Sequence, residues 1–262
     1  MSFKIAISGK GGVGKSTLAG TLARLFAEDG FKVLAVDADA DANLASAIGM
    51  PKELKENIKT ISKESNLIEE RTGATPGKMG QMFSLFPDVS GITEICGVNY
   101  EGVDLVVLGA VKTGGGGCAC PESILLKSLV MDMVLYRDQV VIMDMEAGIE
   151  HLGRGTAMGV DAIVIVIEAG MRSFETAEKI KEMSNEIGIK KIFYVLNKYF
   201  DEKDIDYAEN IIGKENFIGA VPFDMKIVKS DKEQKSVLDI DDSNLRETYA
   251  NIKEKLLQKI SV

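Results

Sequence analysis

A glycine-rich segment at residues 9–17 combines the residue types that bind a polyphosphate. Gly9 is followed, after four residues, by Gly14, Lys15 and Ser16. Glycine lets backbone N–H groups approach phosphate oxygens closely, the lysine supplies positive charge, and the serine hydroxyl suits Mg²⁺. The spacing therefore predicts a loop that holds a nucleotide with Mg²⁺. Its predicted nucleotide-binding residues are Gly11, Gly12, Val13, Gly14, Lys15, Ser16 and Thr17.

This segment contains one lysine more than such a loop needs. Because Lys15 already supplies the charge, Lys10 is expected to act elsewhere. Residues 10–17 resemble the deviant Walker A motif of a family of dimeric ATPases, which includes the nitrogenase iron protein, the Min and Par positioning ATPases and metal-insertion ATPases. The resemblance implies ATP hydrolysis to ADP by a homodimer. It also implies that Lys10 reaches across a two-fold interface to the partner's phosphates, so Lys10 and Lys15 are predicted to be catalytic.

The phosphate-binding segment must join a strand to a helix, and its flanks have those patterns. Residues 3–8 form an apolar run, and residues 15–29 carry apolar side chains at helical spacing, so the helix N-terminus points at the anion. Further short apolar runs alternate with helical stretches, at residues 32–37, 103–110, 139–144, 161–168, 191–197 and 217–221. This alternation predicts an α/β fold, a doubly wound and mostly parallel sheet flanked by helices. The resemblance identifies it as the P-loop fold.

Composition limits the function classes. The chain has 262 residues, of which 45% are hydrophobic and only 5 are proline, so we expect one domain spanning residues 1–262. A net charge of −9 argues against a broad surface for nucleic acid or anionic membrane. No apolar run is long enough to span a bilayer, and the first strand starts at Phe3, where no signal peptide fits. We therefore expect a cytoplasmic protein with neither nucleic acid nor membrane as a partner.

Two stretches interrupt the alternation. Residues 52–71 are highly charged and predict helix on the surface, whereas residues 73–91 predict a long loop, which is typically mobile or functional. The last predicted helix, residues 244–260, carries an apolar stripe beside three lysines, Lys253, Lys255 and Lys259. Weak lipid binding is one interpretation of this stripe, but the net negative charge of the chain favours docking of this helix on the core. The stripe consists of Leu245, Tyr249, Ile252, Leu256 and Ile260.

Three aspartates, Asp37, Asp39 and Asp41, follow the second predicted strand, at the edge of a parallel sheet where ligands bind. Their charges would repel one another unless cations or water separate them. The family resemblance places Asp39 where the attacking water is held, and Asp37 behind it near the magnesium ion. We therefore predict that Asp39 is catalytic.

A second acidic segment, residues 144–148, ends the apolar run at 140–143. An acidic residue at this place suits Mg²⁺ in a nucleotide-hydrolysing fold, and the segment resembles the second switch of the family. The resemblance implies that Asp144 binds Mg²⁺ through water and that the amide of Gly148 turns toward the γ-phosphate. Glu146 departs from the threonine-proline form of the positioning ATPases. The predicted magnesium-binding residues are Ser16, Asp37, Asp39 and Asp144.

Asn197 ends another predicted strand, where its carboxamide can read the hydrogen-bonding edge of a purine. In the family an asparagine at this place contacts adenine, together with the loop after a later strand, here residues 221–224. Asn197, Lys198 and Pro222 are therefore predicted to bind the nucleotide. A purely structural asparagine at the strand end is the alternative.

A pair of thiols, Cys118 and Cys120, follows four glycines, and residues at i and i+2 of an extended chain point to the same side. They can grip one soft cation, but a closed tetrahedral site needs four sulfurs. A two-fold dimer supplies them, so we predict one metal ion bridging the protomers. Packed or merely reactive thiols are the alternative. Cys96 is interpreted as a small buried residue, and His151 as a hydrogen-bonding residue rather than a sensor of the nucleotide.

The Walker motif, the thiol pair and the second switch together resemble the accessory ATPases of carbon monoxide dehydrogenase, which are implicated in nickel insertion. The resemblance covers essentially the whole chain. It implies an ATP-driven metallochaperone that binds Ni²⁺ or Zn²⁺ between its protomers, with carbon monoxide dehydrogenase as its client. Two alternatives stay open: an iron–sulfur reductase ATPase with a [4Fe–4S] cluster on the same thiolates, and a Min- or Par-like positioning ATPase.

Overall fold

The computed structural model describes residues 2–39, 41–78, 80–109, 120–135, 139–146 and 159–261. Within these ranges the strands form a single eight-stranded sheet in the order β3-β4-β2-β5-β1-β6-β7-β8. All neighbouring pairs are parallel except β3 and β4, so the predicted α/β fold with a mostly parallel sheet is confirmed. The strands are β1 Phe3–Gly9, β2 Val33–Ala38, β3 Val98–Tyr100, β4 Val103–Val107, β5 Val140–Met145, β6 Ala162–Ile167, β7 Ile192–Tyr199 and β8 Phe217–Pro222.

Helices in the described ranges cover the two faces of this sheet. The charged stretch 52–71 is less exposed than predicted: it forms two short helices whose linker pairs with β4 through Thr60, and it buries Ile61, Leu67 and Ile68. The described residues of the predicted loop 73–91 contain neither helix nor strand. The helices are α1 Lys15–Glu28, α2 Leu44–Ile48, α3 Lys52–Lys55, α4 Ser65–Thr72, α5 Ile92–Cys96, α6 Pro121–Leu135, α7 Met171–Ile187, α8 Glu202–Ile212, α9 Met225–Lys232 and α10 Ser243–Ser261.

The central strands are apolar throughout because both of their faces are buried. In β2, Leu34 and Val36 pack into one core, whereas Val33 and Ala35 pack into the other. The first core also contains residues of α4, α6, α7 and α8, and the second contains residues of α1, α2 and α10. Because β1, β2, β5, β6 and β7 are parallel, their carboxyl ends meet at one edge of the sheet, where the predicted site residues lie.

The last helix, α10, docks on the core as predicted. The stripe residues Leu245, Tyr249, Ile252 and Leu256 are all at most 4% exposed. Lys253, one of the lysines beside the stripe, is itself buried and forms an ion pair with Asp29 at the end of α1. Among the described residues, no helix combines the length and the apolar character needed to cross a bilayer.

Gly219 in β8 provides a test of this docking, because a Cβ added there would lie 2.5 Å from a side-chain carbon of Ile252 on α10. Gly219→Ala should lower the free energy of unfolding by about 1–3 kcal/mol, since the overpacked helix and strand must move apart. Urea denaturation measures the change. Gly170→Ala, where an added Cβ has no neighbour within 4 Å, should cost at most about 1 kcal/mol, because Gly170 only caps α7. Equal effects of the two substitutions would contradict the docked position of α10.

Candidate functional site

A cavity of about 440 Å³ lies at the carboxyl edge of the sheet, a size typical of a small-molecule site. The glycine-rich segment between β1 and α1 forms one wall. Most of the predicted phosphate-binding residues line it, namely Gly11, Gly12, Gly14, Lys15, Ser16 and Thr17. Val13 instead points into the core, where it is 1% exposed.

Gly14 sets the entry of the chain into α1. Its φ of 96° is a left-handed conformation that a residue with a Cβ adopts only with strain, and its carbonyl accepts the N–H of Leu18 at 3.0 Å. The helix therefore starts at the cavity with free N–H groups, which is how a helix N-terminus binds an anion. Lys15, the first residue of α1, is 6% exposed, and its Nζ lies 3.5 Å from the carbonyl oxygen of Lys10.

The two lysines of the segment lie in different places. Lys15 lines the cavity, whereas Lys10 is exposed and lines a neighbouring cleft together with Glu168, Arg172 and Phe200. The charge of Lys10 is thus available outside the cavity that its own loop forms.

Two residues at the end of β7 brace the glycine-rich segment from the side. The Asn197 Nδ2 donates to the carbonyl of Val13 at 2.7 Å, and its Oδ1 accepts the N–H of Lys198 at 3.0 Å. The Lys198 Nζ donates to the carbonyl of Gly12 at 2.5 Å and to Glu168 at 2.8 Å. Both side chains line the cavity, and their observed hydrogen bonds hold the loop, which agrees with the structural alternative for Asn197. Their contact with the nucleotide stays a prediction.

The loop after β2 lies on the other side of the cavity, where Asp39, Asp41 and Asn43 line it. The buried Asp37 holds this loop: its Oδ1 accepts the N–H of Asp39 at 3.2 Å and its Oδ2 accepts the N–H of Leu44 at 2.9 Å. Burial raises the pKa of Asp37 to about 6, although the two N–H donors oppose the shift. Asp37 does not reach the cavity wall, so its contact with magnesium stays a prediction.

Asp144 lies beside Asp37 in the register of the neighbouring strands β5 and β2. Its side chain is fully buried, and neither carboxylate oxygen has a hydrogen-bond partner within normal distance among the described residues. Burial raises its pKa to about 7, and Asp37 adds to the increase, while the nearby Ser16 hydroxyl and Lys15 lower it. Asp144, like Asp37, does not line the cavity, but an unpaired buried carboxylate near a serine hydroxyl of the cavity wall is a donor set that fits Mg²⁺. Its contact with magnesium also stays a prediction.

The remaining wall of the cavity comes from the end of β8 and from α9. Pro222 and Phe223 line it, together with Ile227 and Val228 of α9. The sequence placed Pro222 here but missed the contribution of α9. The available signal was Asp224, whose carboxylate accepts the N–H of Lys226 at 2.7 Å and so starts this helix.

One predicted metal ligand, Cys120, is described, whereas Cys118, Gly148 and His151 lie outside the described residues. Cys120 precedes α6, and its Sγ accepts the N–H of Ser123 at 3.4 Å, so the sulfur lies at the positive end of a helix. Cys96 is buried, as predicted, and burial raises the pKa of its thiol. Within the described ranges, no group of three or more His, Cys, Asp or Glu side chains is arranged to hold a metal ion.

Known proteins share this sequence pattern over most of its length. The profile of the CobQ/CobB/MinD/ParA nucleotide binding domain matches residues 4–237. The carbon monoxide dehydrogenase accessory protein CooC of Rhodospirillum rubrum is 44% identical over 237 residues, which cover 90% of each chain. An uncharacterized ATP-binding protein of Methanocaldococcus jannaschii is 45% identical over 231 residues, which cover 87% of this chain and 88% of that protein.

Solved structures share the fold. In the MinC:MinD cell division protein complex of Aquifex aeolicus, the matching chain aligns with a TM-score of 0.70 and 18% sequence identity. The alignment covers 98% of this chain and 96% of that chain. Because the identity is low, this likeness concerns the fold alone.

The bracing of the glycine-rich loop can be tested with Asn197→Ala. This change leaves the buried Val13 carbonyl without its donor, which costs about 1–3 kcal/mol, so the Kd for ATP should rise about tenfold. Isothermal titration calorimetry measures it. Asn216→Ala, which removes a longer amide contact of 3.4 Å to Ile212, should leave the affinity unchanged. An unchanged Kd in Asn197→Ala would refute the bracing role.

The buried carboxylates predict a pH dependence of stability in the absence of nucleotide and Mg²⁺. The pKa values of Asp144 and Asp37 are raised from 3.8 to about 7 and about 6. The folded chain therefore keeps protons that the unfolded chain releases, and the free energy of unfolding should fall as pH rises between about 4 and 7. Asp144→Asn should reduce this slope by up to about 1.4 kcal/mol per pH unit. Urea denaturation at several pH values measures it.

The matched control for this experiment is Asp41→Asn, which changes an exposed carboxylate at the rim of the same cavity. It should keep the parent slope. If Asp144→Asn also kept the parent slope, the shifted pKa of Asp144 would be contradicted.

Proposed function

This chain belongs to the CobQ/CobB/MinD/ParA nucleotide-binding family and is a P-loop ATPase, and on that premise we propose that it serves carbon monoxide dehydrogenase as an accessory ATPase. The observation that carries the proposal is the 44% identity to CooC over 90% of both chains. In the proposal, residues 1–262 form one cytoplasmic domain that works as a homodimer and assists nickel insertion into the client.

The cavity residues divide the work of ATP hydrolysis among them. Lys15 and the N-terminus of α1 hold the terminal phosphates, and Asp39 at the cavity wall orients the attacking water. Ser16 and the unpaired Asp144 hold Mg²⁺, which when bound neutralises negative charge on the phosphates. Because burial raises the pKa of Asp144 to about 7, Mg²⁺ would have to displace a proton from this carboxyl group below neutral pH.

Lys10 acts on the partner protomer in this proposal. Its position in the cleft beside the cavity, rather than in the cavity, supports this, because an ammonium group outside its own site can reach a second nucleotide. The charge it adds would matter most when the bond to the γ-phosphate loosens. Lys10 therefore makes hydrolysis conditional on the closed dimer.

The cargo site is formed by Cys118 and Cys120 of both protomers, with Ni²⁺ as the cargo and Zn²⁺ as a competing ion. Cys120 immediately precedes α6, and the Ser123 N–H donates to its sulfur. Closing and opening of the dimer during ATP turnover would change the distance between the two thiol pairs, which couples hydrolysis to metal release.

Replacing both Cys118 and Cys120 with alanine tests the cargo site. In the double variant the metal content per protomer should fall more than tenfold. Each chain supplies two of the four sulfurs, so the variant dimer lacks all four. The measurement combines mass and metal content in native mass spectrometry without nucleotide, with ADP and with a nonhydrolysable ATP analogue.

Cys96→Ala, a buried cysteine of the same chain, is the control and should bind metal like the parent. Unchanged metal stoichiometry in the double variant would refute the proposed cargo site. Cluster absorption and a reducible paramagnetic signal after anaerobic purification would instead favour the iron–sulfur reductase.

A further inference from the structure

A carboxylate outside the nucleotide cavity is linked to the phosphate-binding loop through one lysine. Glu168 follows β6 and lines the neighbouring cleft rather than the cavity. Its Oε1 accepts a hydrogen bond from the Lys198 Nζ at 2.8 Å, and the same Nζ donates to the carbonyl of Gly12 at 2.5 Å. One ammonium group therefore lies between a carboxylate of the cleft and a backbone carbonyl of the loop.

The backbone at Lys198 departs from that of a regular strand. Its φ of 59° is left-handed, a conformation that a residue with a Cβ adopts only with strain. The pairing of β7 with β8 also shifts its register between Asn197 and Tyr199. Irregularities of both kinds redirect side chains and are concentrated at functional sites.

The distortion of β7 brings two neighbouring side chains to the same loop. Consecutive residues of a regular strand point to opposite faces of the sheet. Asn197 and Lys198 instead both donate to the glycine-rich segment, at the carbonyls of Val13 and Gly12. The strained backbone at Lys198 therefore coincides with a second donor to the loop.

Glu168 is anchored where α7 begins. Its N–H donates to the hydroxyl of Ser173 at 3.0 Å, and its carbonyl accepts the N–H of Gly170 at 2.7 Å. Ser173 is itself buried. Because β6 lies between β1 and β7 in the sheet, this turn is next to both the loop after β1 and the end of β7. The Glu168 carboxylate thus extends from a fixed part of the backbone.

An exposed ion pair contributes little by itself, and the side chains of Glu168 and Lys198 are both 40% exposed. The contact with Gly12 distinguishes this pair from an ordinary surface pair. A lysine ammonium group sits on a flexible stem and takes many positions unless several acceptors fix it. The carboxylate therefore restricts the position of the ammonium group, and the ammonium group holds the carbonyl of Gly12.

We propose that Glu168 is a positioning residue for ATP binding: it acts through Lys198 to hold the phosphate-binding loop in the shape that receives the phosphates. In this role Glu168 does not contact the nucleotide. Its loss weakens binding because the loop must then be ordered when the phosphates arrive. The inference concerns the ATPase site alone and is independent of the client enzyme.

Glu168→Ala in the full chain tests the inference, with isothermal titration calorimetry of a nonhydrolysable ATP analogue and Mg²⁺. The Kd should rise about threefold, the size expected for a partly exposed ion pair, and the number of sites per chain should stay at the parent value. A merely structural role would lower the number of sites and leave the Kd unchanged. Glu168→Gln keeps an acceptor oxygen, so its Kd should lie between those of the parent and Glu168→Ala.

The matched control is Glu178→Ala, which removes an exposed ion pair on α7, where the Lys181 Nζ lies 3.1 Å from the Glu178 carboxylate. This pair does not touch the phosphate-binding loop. The Kd of the control should equal that of the parent.

A second variant tests whether Glu168 acts through the lysine. Lys198→Gly removes the ammonium group, and glycine adopts the left-handed backbone without strain. This variant should raise the Kd about tenfold, because a charged hydrogen bond to the loop is lost. Adding Glu168→Ala to Lys198→Gly should cause no further rise, since the carboxylate then has no ammonium group to position.

Four outcomes would overturn the inference. An unchanged Kd in Glu168→Ala would leave an ordinary surface ion pair. A lower Kd would mean that Glu168 withholds Lys198 from the phosphates. Fewer sites at the parent Kd would reduce Glu168 to a structural residue. Additive effects of Glu168→Ala and Lys198→Gly would show that Glu168 acts by a route that does not include Lys198.

Discussion

Two carboxylates buried side by side beneath the phosphate-binding loop impose the constraint on which the site depends. Asp37 and Asp144 occupy matching positions on neighbouring strands, both without exposure to water. Two negative charges in such a place repel each other, so a nearby cation favours their full ionisation at neutral pH. The protein compensates Asp37 with backbone N–H groups and leaves Asp144 without a hydrogen-bond partner among the described residues. A cation at the cavity would therefore both complete the nucleotide site and relieve the fold beneath it.

Residues far away in the sequence also hold the nucleotide-binding loop in place. Its shape depends on Asn197 and Lys198, which are more than 180 residues away in sequence and reach the carbonyls of Val13 and Gly12. Lys198 further binds Glu168, which lines the adjacent cleft beside Lys10. One lysine therefore binds both the phosphate-binding loop and the wall of the neighbouring cleft.

The sequence predicted the elements whose signals are local. The glycine spacing at residues 9–17 and the continuous apolar runs of the central strands required no knowledge of distant contacts, because a parallel sheet covered on both faces needs such runs. A structural role for Asn197 was the stated alternative, but its partner, the carbonyl of Val13, was out of reach because tertiary structure sets it. The wall formed by α9 was missed for a similar reason: a short helix gains its position from the strand before it. Cys118 and Gly148 lie outside the described residues, so their roles stay predictions.

The exposed side chains of Met82, Leu85 and Phe86 also affect the protein in its free state. Three large apolar side chains in water favour self-association of the chain, and the formal net charge of −9 opposes it by repulsion between molecules. That repulsion disappears near the sequence pI of about 4.9. Colloidal stability therefore depends on the balance of charge and apolar surface, and mild acidification, which protonates surface carboxylates, shifts that balance toward self-association.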